Sequence, residues 1–198
     1  MSPRSAGPPG RLRIVAGEWR GRRLPVLDQP GLRPTPDRVR ETLFNWLAPL
    51  IRGARCLDLF AGSGALGFEA ASRGAGRVAM IEKSANLVRV LRENRLLLDA
   101  RQVEVIQADA GLWLAGQAEP FDLVFLDPPF AENLLGPTCA ALAQGGWLAR
   151  GARVYLEAAA SPGFPALPEE WRLVRAKQAG HVRYGLAEAG QVAPVIVP

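Results

Sequence analysis

From residue 55 onward the chain alternates short apolar runs with stretches of helical periodicity, and this constrains its fold more than any other feature. The runs are "RCLDLF", "RVAMIE", "VEVIQAD", "FDLVFLD" and "ARVYLE". Between them lie "AGSGALGFEAASRG", "SANLVRVLRENRLLL" and helix candidates at residues 111–115 and 134–143. Runs apolar throughout their length suit strands buried on both faces, and their alternation with helices predicts an α/β, Rossmann-like fold. Its sheet is mostly parallel, with helices on both sides. At the end, "WRLVRAKQAG" and "HVRYGLAEA" have no helix between them, which predicts an antiparallel hairpin.

Ahead of this region the composition changes. Residues 1–10 are rich in Pro, Gly and Ser and read as a disordered tail. Residues 11–27 read as two short strands around a Gly-containing turn, a hairpin carrying five arginines. In "RPTPDRVRETLFNWL", Thr35 suits a helix cap, Pro36 the first helical position and Asp37 the positive helix end. Val39, Leu43, Trp46 and Leu47 form its core face, leaving Arg38 and Glu41 to line a site. Up to Arg40 there are nine arginines and three acids, an excess larger than the whole chain's +5. The basic character thus belongs to one end, and guanidinium forks suit a polyanion.

In a parallel sheet, ligands bind beyond the carboxyl ends of the strands. Four successive strands end on acids: Asp58, Glu82, Asp109 and Asp127. Gly62, Gly64 and Gly67 form G-x-G-x-x-G between a strand and a helix, with Glu82 about 20 positions on to accept from ribose hydroxyls. This fingerprint marks a nucleoside-type cofactor without choosing which. Asp58 favours S-adenosylmethionine, whose ammonium needs a counter-charge, over a dinucleotide, whose pyrophosphate a carboxylate would repel. Asp109 is placed to accept from an adenine amino group. The cofactor-binding candidates are Asp58, Phe60, Ala61, Gly62, Ser63, Gly64, Glu82, Lys83, Asp109, Ala110 and Asp127.

The fourth strand ends in "DPPF", similar to the [N/D/S]-P-P-[Y/F] motif of methyltransferases that modify exocyclic or amide nitrogens. An exocyclic amine is a poor nucleophile because its lone pair is delocalised into the ring. Asp127 and a carbonyl of the Pro128–Pro129 segment can accept its two N–H bonds and orient the lone pair. Proline fixes the backbone in advance, and Phe130 offers a face for a splayed-out base. The catalytic candidates are Asp127, Pro128, Pro129 and Phe130. The lone histidine, His181, reads as a surface residue of the terminal hairpin.

Together, "GEWRGRRLPV", "RPTPDRVRETLFNWL", "DLFAGSGALGFEA" and "DPPF" resemble the RsmD family of bacterial 16S rRNA guanine-N2 methyltransferases, over nearly the whole chain. The resemblance implies a class I methyltransferase fold with seven strands, S-adenosylmethionine, and guanine 966 of 16S rRNA in a partly assembled small subunit as target. It implies that Asp58, Gly62 and Gly64 surround the methionine end of the cofactor, Glu82 the ribose and Asp109 the adenine, with the "DPPF" residues holding the guanine. Arg20, Arg22, Arg23, Arg38 and Arg40 are the RNA-contacting candidates. The domain organisation expected is a tail (1–10), a basic RNA-contacting extension (11–50) and a methyltransferase domain (51–190). Relatives often carry another acid after the glutamate, where this chain has Lys83 and Ser84, so ribose binding falls to Glu82. The terminal "VRYGLAEA" lacks a second aromatic residue expected near the base.

Other classes are disfavoured. Cys56 and Cys139 lie too far apart for a metal pattern, so no metal is expected. No apolar run approaches a membrane span, the N-terminus has no secretory h-region, and a cytoplasmic monomer is expected. A DNA adenine-N6 or protein glutamine-N5 methyltransferase would share the nitrogen chemistry but does not account for the basic hairpin. A non-catalytic rRNA-binding assembly factor would tolerate a broken glycine loop, and this one is whole. A nicotinamide dehydrogenase is opposed by Asp58 and "DPPF".

Overall fold

A computed structural model describes residues 10–27 and 35–190. The tail expected over residues 1–10 lies outside the described residues except for Gly10, as do residues 191–198. The N-terminal hairpin forms from β1 (Gly10–Arg13) and β2 (Arg23–Val26), paired antiparallel. Helix α1 spans Asp37–Leu47. Then follow β3 (Arg55–Asp58), α2 (Ala65–Ser72), β4 (Arg77–Glu82), α3 (Ala85–Leu97), β5 (Val103–Gln107), α4 (Ala110–Leu114) and β6 (Phe121–Leu126). A 3₁₀ turn at Phe130–Glu132 leads to α5 (Leu135–Gln144), β7 (Leu148–Ala159), β8 (Trp171–Ala179) and β9 (Val182–Ala189).

Seven strands form one sheet in the order β5-β4-β3-β6-β7-β9-β8. All pairings from β5 to β7 are parallel, and only the terminal hairpin runs antiparallel. Alternation along each strand divides the core in two. Cys56, Met80, Phe125 and Tyr155 face α1, α2, α3 and the N-terminal hairpin. Leu57, Ile81, Leu126 and Leu156 face α4 and α5.

The N-terminal hairpin joins the first of these cores through Leu12, Ile14, Trp19, Leu24 and Val26. Glu69 of α2, fully buried, anchors it: its carboxylate accepts the backbone N–H groups of Val15 (2.8 Å) and Ala16 (3.0 Å). Arg73 and Arg40 supply the countercharge, at 2.8 and 3.3 Å. The hairpin turn abuts Ser72 at the C-terminal end of α2, and Arg22 donates to the carbonyl of Leu97 at the end of α3. Both helices run away from the carboxyl edge of the sheet, so Arg20, Arg22 and Arg23, all exposed, stand at the opposite edge.

Candidate active site

β3 and β6 are neighbours, but the chain leaves β3 for the face covered by α2 and β6 for the face covered by α5. At such a reversal of direction a crevice opens beyond the strand ends. Asp58 pairs with Phe125 across the two strands, so Asp127 emerges just beyond it. Glu82 closes β4, and Asp109 lies two residues past β5. The four acids expected at one edge are brought there together.

The glycine loop between β3 and α2 makes that edge tight. Gly64 caps α2 with φ at +79°, and a Cβ there would stand 2.7 Å from Phe68 and Leu91. Ala61 donates to the carbonyl of Ile81 at 3.0 Å, tying the loop to β4, while Phe60 and Gly62 remain half-exposed and Ser63 is buried. Glu82 accepts from Gly62 N–H (2.9 Å) through one oxygen and Ser84 N–H (2.7 Å) through the other. Each carboxylate oxygen retains a second lone pair for a ligand hydroxyl. Asp109 caps α4, whose first residue is Ala110, by accepting from Gly111 and Leu112 through Oδ1. Its Oδ2 has no partner among the described residues.

Asp58 is buried, and its Oδ2 accepts from Gly67 N–H at 3.0 Å. Burial pushes its pKa up to about 7, and the charge of Glu82 adds to the rise, while N–H donation from Gly67 and Phe60 opposes it. The only basic side chain among the cofactor candidates, Lys83, is exposed and paired with Glu132 at 3.2 Å. A rim of carboxylates held by backbone N–H groups suits a ligand bearing an ammonium and several hydroxyl or amino donors, as S-adenosylmethionine does. A pyrophosphate would meet repulsion there.

Beyond β6, Asp127 is half-buried, Pro128 buried, Pro129 exposed, and Phe130 40% exposed. A fifth acid stands beside Asp127. Leu126 pairs with Leu156, which sets Asp127 level with Glu157 of β7. Glu157 is buried and accepts a 2.6 Å hydrogen bond from the Tyr155 hydroxyl. Burial raises the pKa of both carboxyls, and that of Asp127 is raised further by the charges of Glu157 and Asp58. The Thr35 hydroxyl faces both and favours their charged forms.

Comparison with known proteins gives the chain's family and fold. The family model described as "Conserved hypothetical protein 95" matches residues 12–188. Ribosomal RNA small subunit methyltransferase D of Escherichia coli K12 is 50% identical over 177 residues, 89% of each chain. That of Haemophilus influenzae is 47% identical over 182 residues, covering 89% of this chain and 93% of the other. The chain belongs to the RsmD family of methyltransferases. Its fold agrees: the structure described as "Putative methyltransferase yhhF from Escherichia coli" superimposes with TM-score 0.87 at 46% identity, covering 91% of this chain and 99% of that one.

Two expectations about this RsmD-family chain need correction. Arg40, expected to contact RNA, is wholly buried. Its guanidinium pairs with Asp37 and Glu69 and donates to the carbonyls of Thr35 and Arg13, so it fixes α1 to the hairpin and cannot reach a phosphate. Thr35 makes no helix cap: α1 begins at Asp37 behind Pro36, with no side-chain cap, and the Thr35 hydroxyl faces the carboxyl pair instead. Arg38 and Glu41 are exposed on α1, as expected, and His181 is exposed in the β8–β9 turn. Glu157 was missed, although "ARVYLE" ends on an acid as the four preceding strands do.

Proposed function

We propose that this methyltransferase transfers a methyl group from S-adenosylmethionine to the exocyclic N2 of a guanine in small-subunit rRNA, guanine 966 in the family's usual numbering. The observation that carries this reading is the juxtaposition of Asp58 and Asp127 at adjacent strand ends. One carboxylate addresses the cofactor's ammonium and the other the substrate amine. The methyltransferases D of Escherichia coli and Haemophilus influenzae, so close in sequence, support small-subunit rRNA as the substrate.

Bound S-adenosylmethionine supplies an electrophilic methyl group. Asp58 holds the amino-acid end, Glu82 the ribose and Asp109 the adenine amino group. Asp127 and a carbonyl of the Pro128–Pro129 segment accept the two N–H bonds of the guanine amine, aiming its lone pair at the methyl carbon. Phe130 stacks on the flipped base, a contact worth about 1–3 kcal/mol. The attacking nitrogen so held would take the methyl group, and the electron pair of the C–S bond would remain on the cofactor's sulfur. The proton shed by the nitrogen passes to the carboxylate that already holds its N–H. The protein acts as a cytoplasmic monomer on a partly assembled small subunit, and arginines of the N-terminal hairpin meet rRNA remote from the target base.

The test is label transfer from S-adenosylmethionine to naked 16S rRNA, partly assembled small subunits and duplex DNA, with the modified nucleoside identified by mass. N2-methylguanine in the ribosomal substrates alone is expected. Methyladenine in DNA would contradict the reading.

A further inference from the structure

The exposed cations of the terminal hairpin lie on the substrate side of the molecule. Ala159, the last residue of β7, pairs with Val182, and Ala160 N–H donates to the His181 carbonyl at 2.8 Å. The β8–β9 turn therefore stands at the same sheet edge as Asp127. Residues 171–185 contain three arginines, one lysine and no acid.

Register places these cations in a row. Glu157 pairs with Tyr184 and Tyr184 with Lys177, so Lys177 shares a rung with Glu157, two strands or about 10 Å away, and lies three strands or about 14 Å from Asp127. One rung further from the edge, Tyr155, Leu186 and Arg175 are aligned in the same way. After an irregularity between Leu173 and Arg175, Arg172 pairs with Glu188. Directly paired residues share a face, and Tyr155, Tyr184 and Leu186 belong to the core beneath α1. Lys177, Arg175 and Arg172 thus stand on the α1 side at successive levels leading away from the active site.

A groove of about 470 Å³ runs between α1 and this row, bordered by Trp46, Arg153, Arg172, Arg175 and Glu188. Trp46 stacks on Tyr184, with ring centroids 5.8 Å apart, and is only partly buried. Glu188 pairs with Arg153 (3.2 Å) and Arg172 (2.7 Å), whereas Arg175 and Lys177 have no carboxylate partner among the described residues.

We infer that a single-stranded rRNA segment flanking the target base runs from Asp127 across Lys177 and down this groove, its phosphates on Lys177, Arg175 and Arg172 and a base against Trp46. The occupant follows from complementarity: a row of exposed cations beside an aromatic face is the surface that binds a single strand regardless of sequence. Asp127 and this row share one face and one edge of the sheet, so a strand leaving a base held at Asp127 can reach it. The inference rests on the RNA-methyltransferase reading above.

The experiment compares the wild type with the double variant Arg175→Glu/Lys177→Glu. Methyl transfer to the ribosomal substrate is measured across a salt series, alongside fluorescence-anisotropy binding of a labelled single-stranded RNA and calorimetric S-adenosylmethionine binding. The variant is expected to raise KM for RNA about tenfold or more, to weaken RNA binding in parallel and to reduce the salt slope by about 1–1.5. Cofactor affinity and kcat should be unchanged. A variant matching the wild type in KM and salt slope would overturn the groove while leaving the proposed activity intact. Wild-type transfer to duplex DNA or protein, with none to RNA, would overturn both.

Discussion

Below pH about 7 Asp58 carries a proton in the free protein, and in the proposed role it gives this up to hold an ammonium. Its pKa of about 7, against an ordinary carboxyl at 3.8, means that the folded state binds the proton more tightly than the unfolded chain. Stability from this group is fully present below the ordinary value and is lost as pH rises through about 7. Cofactor binding has the opposite dependence. Below pH about 7, S-adenosylmethionine affinity should fall by up to about tenfold per unit, and calorimetry between about pH 5.5 and 8 checks this. A flat profile would show that Asp58 does not face the ammonium. Glu157 gives a second prediction. Its charge raises the pKa of Asp127, as does that of Asp58, while Thr35 works the other way. Glu157→Gln should therefore lower the pKa of Asp127 and move the acid limb of the kcat–pH profile to lower pH, with cofactor affinity unchanged. The acids at four strand ends were legible because each closed an apolar run. Glu157 sent the same signal, but its partnership with Asp127 depends on β6 and β7 being neighbours, which strand order alone reveals.

At the scale of elements, the N-terminal hairpin is held by a buried charge as well as by apolar contact. Glu69 collects two backbone N–H groups from the hairpin and the guanidinium groups of Arg40 and Arg73. Removing one partner of a buried ion pair leaves the others uncompensated, which costs about 3–5 kcal/mol. Glu69→Ala should lower the melting temperature by about 10 °C, at some 2–4 °C per kcal/mol for a chain of this size, as calorimetry would detect. A loss within about 1 kcal/mol, typical of an exposed pair, would contradict this account of the hairpin. Strands and helices were legible from period: runs apolar throughout became strands buried on both faces, and Val39, Leu43 and Leu47 became the buried stripe of α1. Arg40 was not, because a helical arginine looks solvent-facing until a buried carboxylate 29 residues along is known to meet it. Thr35 reads as a cap because local signals outweigh distant ones in a sequence, and its actual neighbours, Asp127 and Glu157, lie roughly 90 and 120 positions away.

Across the whole molecule, charge and topology divide the work. The N-terminal arginines dominate the sequence, yet Arg20, Arg22 and Arg23 sit at the edge opposite the carboxylates. The terminal hairpin carries fewer cations, but its turn stands at the carboxylate edge and Lys177 shares a rung with Glu157. Net charge along the chain shows where basic residues occur; the order of strands shows which of them share an edge with Asp127. The same order brings the cofactor loop and "DPPF" to adjacent strand ends, so that two carboxylates 69 positions apart in sequence can serve the two halves of one methyl transfer. The most direct test of that division is Asp127→Ala, comparing transfer to small-subunit rRNA with calorimetric binding of S-adenosylmethionine. The account predicts that turnover falls by about 100-fold or more while cofactor affinity stays within about threefold, because this carboxylate addresses the substrate amine. Lost cofactor affinity with turnover preserved at saturating cofactor would contradict it.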